Sequence, residues 1–390
     1  MALVPFSYNV RSLLVRRSST ALTVVSIAAT VAVFAGVLSL QQGFETLFTA
    51  IGRDDVAVFV RPGSTNEGDS LFERDRAEIL VKGCPEIELD PVSGQPLAAS
   101  ESYLAVRRGK LDGGEVNVPI RGVEPMSFTI NADILRVSEG RRFDQGADEV
   151  IVGRALTTRI QNCLVGDVIV LNTTPFQVVG IFDTEGPFTS EIWGDIDRMA
   201  EALERPLCNR VLARLRPGTD VEALRARLEG DRQVPAKVSS ERVFLAAQTE
   251  MLSGVLLALG GFLALVMGTA AVFTGTNAML AALSARTHEI GILLSIGFRP
   301  LAVFTSFLLE ALLLGLLGGA LGCLASLPLN GMRTGTTNFA TFTEVAFAFR
   351  ITPTVLLSSV GFALLLGLLG GAWPAWRAAR LTPTRALRRG

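Results

Sequence analysis

The sequence predicts an α-helical membrane protein with four transmembrane helices and a large α+β extracytoplasmic domain inserted between helices 1 and 2. Three observations predict it. Four segments are apolar over more than the roughly 20 residues that a bilayer span needs. The stretch between the first and second of them, residues 43–250, is composed like a soluble domain, with 24 Arg/Lys and 34 Asp/Glu. Basic residues gather at one set of span ends. Across all 390 residues, 49% are hydrophobic and 19% charged, and the mean hydropathy is +0.42. These values exclude a disordered chain, a collagen-like one and a disulfide-dense secreted scaffold.

The first span, 18–42, holds no charge and follows Arg11, Arg16 and Arg17. Its apolar run exceeds the usual signal-peptide core of about 7–15 residues, and no small-x-small cleavage site follows, so it reads as an uncleaved anchor. The second span is placed at 251–280, the third at 301–327 and the fourth at 353–376. Arg286 and Arg299 lie between spans two and three, and Arg377, Arg380, Arg385, Arg388 and Arg389 follow span four. Glu289 is the one acid among these basic flanks. Such flanks belong on the cytoplasmic side. The expectation is therefore a multi-pass protein of the inner (plasma) membrane with both termini cytoplasmic, and with the 43–250 domain and the 328–352 loop outside. Residues 1–17 read as an interfacial helix with Phe6, Val10, Leu13 and Leu14 on one face. Residues 281–300 read as a cytoplasmic segment, and 377–390 as a basic tail.

In the external segment, short β-branched runs alternate with turn residues. Val56–Val60, Val168–Leu171 and Phe176–Phe182 are strand candidates. Helical patterns appear at 70–82, 195–205 and 219–229, the last opening at Thr219-Asp220 and stopping at Gly230. About 200 residues can bury a core of their own, expected as two α+β lobes. Acids such as Asp54, Asp55 and Asp183 read as solvated surface, because none clusters at ligand spacing.

What is missing narrows the chemistry. His288 is the single histidine, so a catalytic triad or a two-histidine metal site has little to build on. The lysines are Lys82, Lys110 and Lys237, and none sits in a Gly-Lys-Ser/Thr loop, so the chain has no P-loop for nucleotide phosphates. Cys84, Cys163, Cys208 and Cys323 form no CxxC pair; the sequence leaves open one disulfide among the first three.

Spans three and four share the octapeptide LLLGLLGG, at 312–319 and 364–371. Gly315, Gly319, Gly367 and Gly371 are expected to let helix backbones approach closely. Glu310 sits inside span three, where a charge costs on the order of 2.5–3.5 kcal/mol on insertion scales. It reads as a hydrogen-bonding residue between helices, since the spans offer it no ionisable partner.

Two cytoplasmic stretches remain: Ser284–Gly297, containing Arg286, Glu289, Gly291 and Gly297, and the tail around Pro374, Ala375, Arg377, Arg380, Pro383, Ala386, Leu387 and Arg388. By residue pattern alone they are a helical hairpin turn and a basic amphipathic tail, either of which could simply hold lipid phosphates. The order of one span, a large external domain and three further spans resembles the MacB/FtsX/LolC-type permease family of ABC transporters. The R-x-x-E-I-G…G stretch resembles that family's coupling element, and P-A-x-x-A…P-x-x-A-L-R its closing signature. Asn9-Val10-Arg11 with Arg16 and Arg17 before span one, Arg121-Gly122-Val123-Glu124-Pro125, Glu139-Gly140-Arg141 and Glu149–Gly153 also fit. Leu294 and Arg385 depart from it, standing where the family often has a basic residue and an acid.

The resemblance implies a permease subunit, not itself an enzyme, working with an ABC ATPase subunit that carries the ATP and Mg; no cofactor is bound by this chain. It implies a permease dimer, homodimeric or heterodimeric, with membrane lipid around it, a periplasmic adaptor as one further partner, and no nucleic acid. Arg286, Glu289, Gly291 and Gly297 are the residues expected to couple ATP hydrolysis to movement of the external domain. Cargo stays open between export of a hydrophobic compound and extraction of a lipid-linked one. The alternatives are an FtsX-like regulator of an envelope enzyme and, in a different class, a membrane-anchored sensor without an ATPase.

Overall fold

The computed structural model describes residues 6–49, 51–64, 66–184, 186–338 and 343–382. The chain divides into two compact units, one of Met1–Gly43, Gly254–Met332 and Ala348–Gly390, the other of Phe44–Ser253 and Arg333–Phe347.

The first unit is built on helices α1 (Phe6–Val15), α2 (Arg17–Thr49), α3 (Glu241–Ala285), α4 (Thr287–Ser295), α5 (Pro300–Ser326) and α6 (Pro353–Ala379). Four stretches among them are long and apolar enough to cross a membrane: Arg17–Thr49, Ser253–Ala285, Pro300–Leu329 and Pro353–Ala379. The helices outrun the apolar spans expected at 18–42 and 251–280. Loss of hydropathy alone does not end a helix; neither 41–48 nor 241–250 contains a proline, and α2 runs on through Gly43 to Thr49.

Helices α5 and α6 pack through their repeated sequence, which with one more residue reads ALLLGLLGG at 311–319 and 363–371. A Cβ on Gly315 would lie 2.7 Å from the Ala363 carbonyl oxygen, and one on Gly367 would lie 2.6 Å from that of Ala311. A Cβ on Gly319 would meet the Ala363 methyl at 2.7 Å, and one on Gly371 the Ala311 methyl at 2.1 Å. Each repeat thus presents its alanine to the other's glycine, a reciprocal contact that needs bare backbone on both sides. The remaining glycines face outward to different neighbours: Gly318 approaches Ile27 of α2, and Gly370 approaches Val272 and Gly275 of α3. Pro374 stands inside α6 and cannot donate to the carbonyl of Gly370. The Thr276 hydroxyl of α3 donates to that carbonyl instead, at 3.0 Å.

In the second unit, ten strands form one mixed sheet: β1 (Val56–Val60), β2 (Ala98–Gly109), β3 (Glu115–Val123), β4 (Arg136–Gly140), β5 (Glu149–Gly153), β6 (Val168–Leu171), β7 (Thr174–Asp183), β8 (Ile192–Asp195), β9 (Arg210–Arg214) and β10 (Lys237–Ser240). Their order is β10-β1-β9-β2-β3-β8-β5-β7-β4, with β6 paired to β7. The β3–β8 and β5–β7 pairs are parallel and the rest antiparallel. Where two lobes were expected, one sheet is continuous, with Val56, Val58, Leu212 and Phe244 in one buried cluster and two further cores packed against helices. One packs Ala57, Phe59 and Val211 against helices Arg74–Lys82 and Val221–Glu229 through Ala77, Leu80, Leu224 and Leu228. The other packs Val118, Ile120, Val150 and Phe176 against Met199 and Ala202 of helix Ile196–Ala202. The Val221–Glu229 helix starts on the Asp220 side chain, which accepts from the amides of Glu222 and Ala223, and ends at Gly230. Residues 328–352, expected as a loop, include strands β11 (Arg333–Asn338) and β12 (Thr343–Ala348), which pair with each other.

All four cysteines are free, and Cys84, Cys163 and Cys208 are buried separately, so the open question of a disulfide closes against one. Burial pushes each of these three thiols up to about 11.

Candidate functional site

The site forms at the end of the first unit that carries α1 and the α3–α4 junction. Helix α3 stops at Ala285, and Arg286 takes φ −113° and ψ 10° before α4 begins at Thr287. That one-residue break turns the Arg286 side chain inward, leaving it 11% exposed. Its Nη1 donates to the Ser12 hydroxyl at 2.7 Å and to Glu310 Oε2 at 3.2 Å. Its guanidinium also lies over the Tyr8 ring, 4.6 Å from the centroid. From the other side Arg16, at the α1–α2 bend, pairs with Glu310 Oε1. Glu310 is 1% exposed. A carboxylate so placed is tolerable only when its charge is matched and its lone pairs are taken, and two arginines with Ser12 do both.

Glu310 is hydrogen-bonded between helices, as expected, and the structure adds two ion pairs that the spans alone did not offer. Both partners lie outside the spans by sequence, and only the approach of α1 and the α3–α4 break to α5 brings them within reach. On α1, Leu13 and Leu14 of the expected apolar face part company. Asn9 and Leu13 are buried and Leu14 is exposed, while the side chains of Phe6 and Val10 lie outside the described residues. The polar side chains of α5 select that face: the Ser306 hydroxyl donates to Asn9 Oδ1 at 2.6 Å, and the Ser12 hydroxyl to Glu310 at 3.1 Å.

Glu289, in the first turn of α4, stays 59% exposed. It accepts from the Tyr8 hydroxyl at 3.0 Å and from Arg286 Nε at 3.4 Å. Burial first of all raises the Tyr8 phenol above its usual value, so it remains a hydroxyl donor. Gly291 is buried within α4. Gly297 takes φ +107° and closes the helix: its amide bonds to the Leu294 carbonyl, and that of Phe298 to the Leu293 carbonyl. This left-handed closure favours glycine for conformational reasons. His288 is exposed.

The structure brings Arg286, Glu289 and Glu310 together with Arg16, read from sequence only as a basic flank of span one, and adds Tyr8 and Ser12, which residue pattern did not single out. Ala375 of α6 joins the apolar cluster beneath, with Leu13, Leu283, Ile290 and Phe307. Arg377 and Arg380 do not enter the ionic group; they stack over Trp373 and Trp376, at 5.6 and 4.0 Å from the ring centroids. Pro383, Ala386, Leu387 and Arg388 lie outside the described residues.

Comparison with known proteins now decides the family. The model of the MacB-like periplasmic core domain matches residues 20–231, and that of the FtsX-like permease C-terminal region matches 261–383. The chain belongs to the MacB/FtsX-like permease family. It is 26% identical over 97% of its length to a macrolide export ATP-binding/permease protein of Aeromonas hydrophila, covering 59% of that relative. It is 27% identical over 57% of its length to a pyoverdine export ATP-binding/permease protein of Pseudomonas fluorescens, covering 34% of it. It thus spans 59% of the first of these relatives and 34% of the second, well short of either one's full length. The periplasmic region of MacB from Actinobacillus actinomycetemcomitans aligns with 48% of this chain and 90% of its own, at 10% identity and a TM-score of 0.36.

Within this MacB-like domain, the charged residues of the sequence motifs and their partners hold the sheet together. Arg121 on β3 is bidentate to Glu191 at 2.7 and 2.8 Å and also pairs with Glu67 at 2.8 Å. Arg210 on β9 binds Glu67 at 2.5 Å and Glu101 at 2.6 Å, and the Trp193 indole donates to Glu191 at 2.7 Å. Burial raises the Glu101 carboxyl, but Arg210 and Arg121 outweigh it and hold the group below its usual value. Arg141 pairs with Glu149, and Arg154 with Glu139 and Asp183. These residues tie strands and loops together.

Proposed function

We propose that this chain is the transmembrane permease subunit of an ABC transporter, lying in the inner membrane with both termini cytoplasmic. An ATPase on a partner subunit binds the ATP and Mg, and the permease converts its closure into movement of the extracytoplasmic domain. The observation that carries this reading is the Arg286–Glu310–Arg16 group. It ties the start of α4 to α1 and α5, so a push on α4 passes into membrane helices instead of dissipating in a loop. Glu289 is left exposed on α4, where it can accept charge-assisted bonds from a basic partner. Gly291 and Gly297 shape and close the helix that bears it. The described part of the tail, through Arg377 and Arg380, flanks the same end.

The cargo reading is export or extraction of a hydrophobic or lipid-linked substrate, by a permease dimer and with a periplasmic adaptor. Two relatives are named for macrolide and pyoverdine export. In this chain α5 and α6 close on each other through bare glycine backbone, which leaves no polar path between them for a hydrophilic solute.

The test is Glu289→Ala in the full chain assembled with its ATPase. Losing a charge-assisted hydrogen bond of about 1.5–3 kcal/mol predicts roughly a 10- to 100-fold weaker ATPase association, with thermal stability unchanged. An unaltered association and hydrolysis rate, or the absence of any co-purifying ATPase, would instead fit a membrane-anchored sensor.

A further inference from the structure

Beside the Arg286–Glu310 pairing, the first unit contains a cleft of about 350 Å3 whose walls include Arg11, Arg16 and Arg286 with the side chains of Ser12 and Tyr8. Its cations are not all matched. Arg16 and Arg286 share the single carboxylate of Glu310, and the exposed Arg11 enters no ion pair among the described residues. The Nε of Arg16 is buried without a hydrogen-bond partner. The one acid in the lining, Glu289, is engaged by Tyr8 and Arg286.

The rest of the lining is apolar, formed by Val15 and Ala285. Leu14 and Val15 of α1 are exposed, as are Leu22 and Val25 in the first turns of α2. The cleft also sits at a defined depth, because Arg17 and Ala285 are the terminal residues of two spanning helices. On the cognate end of α6, Trp373 and Trp376 are half-exposed under the guanidinium groups of Arg377 and Arg380. Indole rings settle at the headgroup level of a bilayer.

Surplus guanidinium charge, hydroxyls, an unfilled N–H and an apolar rim, all at headgroup depth, match a phosphate diester carrying acyl chains. We infer that this cleft binds the phosphate of an anionic phospholipid. Arg11 and Arg16 donate to its oxygens, and the acyl chains lie along Leu14, Val15 and the outer face of α2. The inference rests on the membrane reading and not on the ATPase partner.

The experiment titrates the full chain, in detergent, with phosphatidylglycerol or phosphatidylcholine and follows bound lipid by native mass spectrometry. Phosphatidylglycerol should bind at least about tenfold more tightly than phosphatidylcholine, given two or more basic contacts. Arg11→Gln should weaken phosphatidylglycerol binding about fivefold, the equivalent of about 1 kcal/mol per basic residue. Arg17→Gln, which alters a neighbouring arginine outside the cleft lining, should keep the original affinity. Inorganic phosphate at equal concentration should not displace the lipid. Unchanged affinity in Arg11→Gln, equal loss in Arg17→Gln, or displacement by inorganic phosphate would each overturn the site. Loss of ATPase capture in Arg11→Gln with lipid affinity intact would also overturn it and assign the cleft to a protein. The coupling proposal is read on Glu289, so the two fail separately.

Discussion

Glu310 is the residue on which the membrane end of this protein turns. Removing its charge leaves two arginines facing each other in a poorly hydrated site, and breaking one side of a buried pair costs about 3–5 kcal/mol. Glu310→Gln should therefore lower the thermal midpoint of the detergent-solubilised chain markedly, whereas Glu289→Gln should leave it nearly unchanged; equal effects would contradict the assigned burial. In the second unit the ionic ties titrate. A hydrogen bond from Arg141 chiefly holds the Glu149 carboxyl below its usual 4.5, and one from Arg154 holds Asp183 below its usual 3.8. A depressed folded-state value means the stabilisation is present above the unfolded value and fades as pH falls through the folded one. Denaturant midpoints of the 44–253 region within the full chain should thus decline from about pH 4.5 downward, and Arg141→Gln should flatten that decline. The composition suggested none of these pairings. Arg16 is visible in the sequence only as a flanking charge, because its partner lies in an apolar helix nearly three hundred residues away.

At the scale of elements, the paired ALLLGLLGG segments are the clearest case of a pattern that the sequence displays and the structure explains. Leu/Gly richness alone is equally consistent with lipid-facing helices; reciprocal Ala-on-Gly contacts make it an interface. Gly367→Ala places a methyl against the Ala311 carbonyl and should destabilise by about 1–3 kcal/mol through overpacking. Gly361→Ala, on the same helix with open space around its Cβ position, should be neutral or stabilising by about 0.5–1 kcal/mol. Thermal unfolding of both variants in one detergent checks this, and a Gly367→Ala as stable as Gly361→Ala would refute the interface. In the second unit, strands β1, β6 and β7 and the helix after Asp220 followed from β-branched runs and a cap, while the other strands of the sheet had no such signal. The strand order did not follow either, because parallel pairing of β3 with β8 joins segments far apart in sequence, and local pattern carries no record of such pairings.

For the whole molecule, charge is partitioned: 24 basic and 34 acidic residues lie in 43–250, against 12 and 3 elsewhere. The partition implies a topology that labelling can test. Native thiols offer little background, since Cys84, Cys163 and Cys208 are buried and shifted to about 11. In intact cells a membrane-impermeant maleimide should label a cysteine placed at the exposed Val92 and spare one at the exposed Ile296; the reverse pattern would invert the topology. The sequence by itself determined the four apolar spans, the inserted domain and the family, because hydropathy, charge bias and short motifs are local properties that burial in lipid or water selects directly. Only the tertiary structure decided that Glu310 is ion-paired, that α1 turns its Asn9 and Leu13 face inward, and that one continuous sheet carries the buried clusters of the second unit. Each of these depends on which distant segment supplies the counter-charge, the donor or the neighbouring strand, and that is settled by packing in three dimensions.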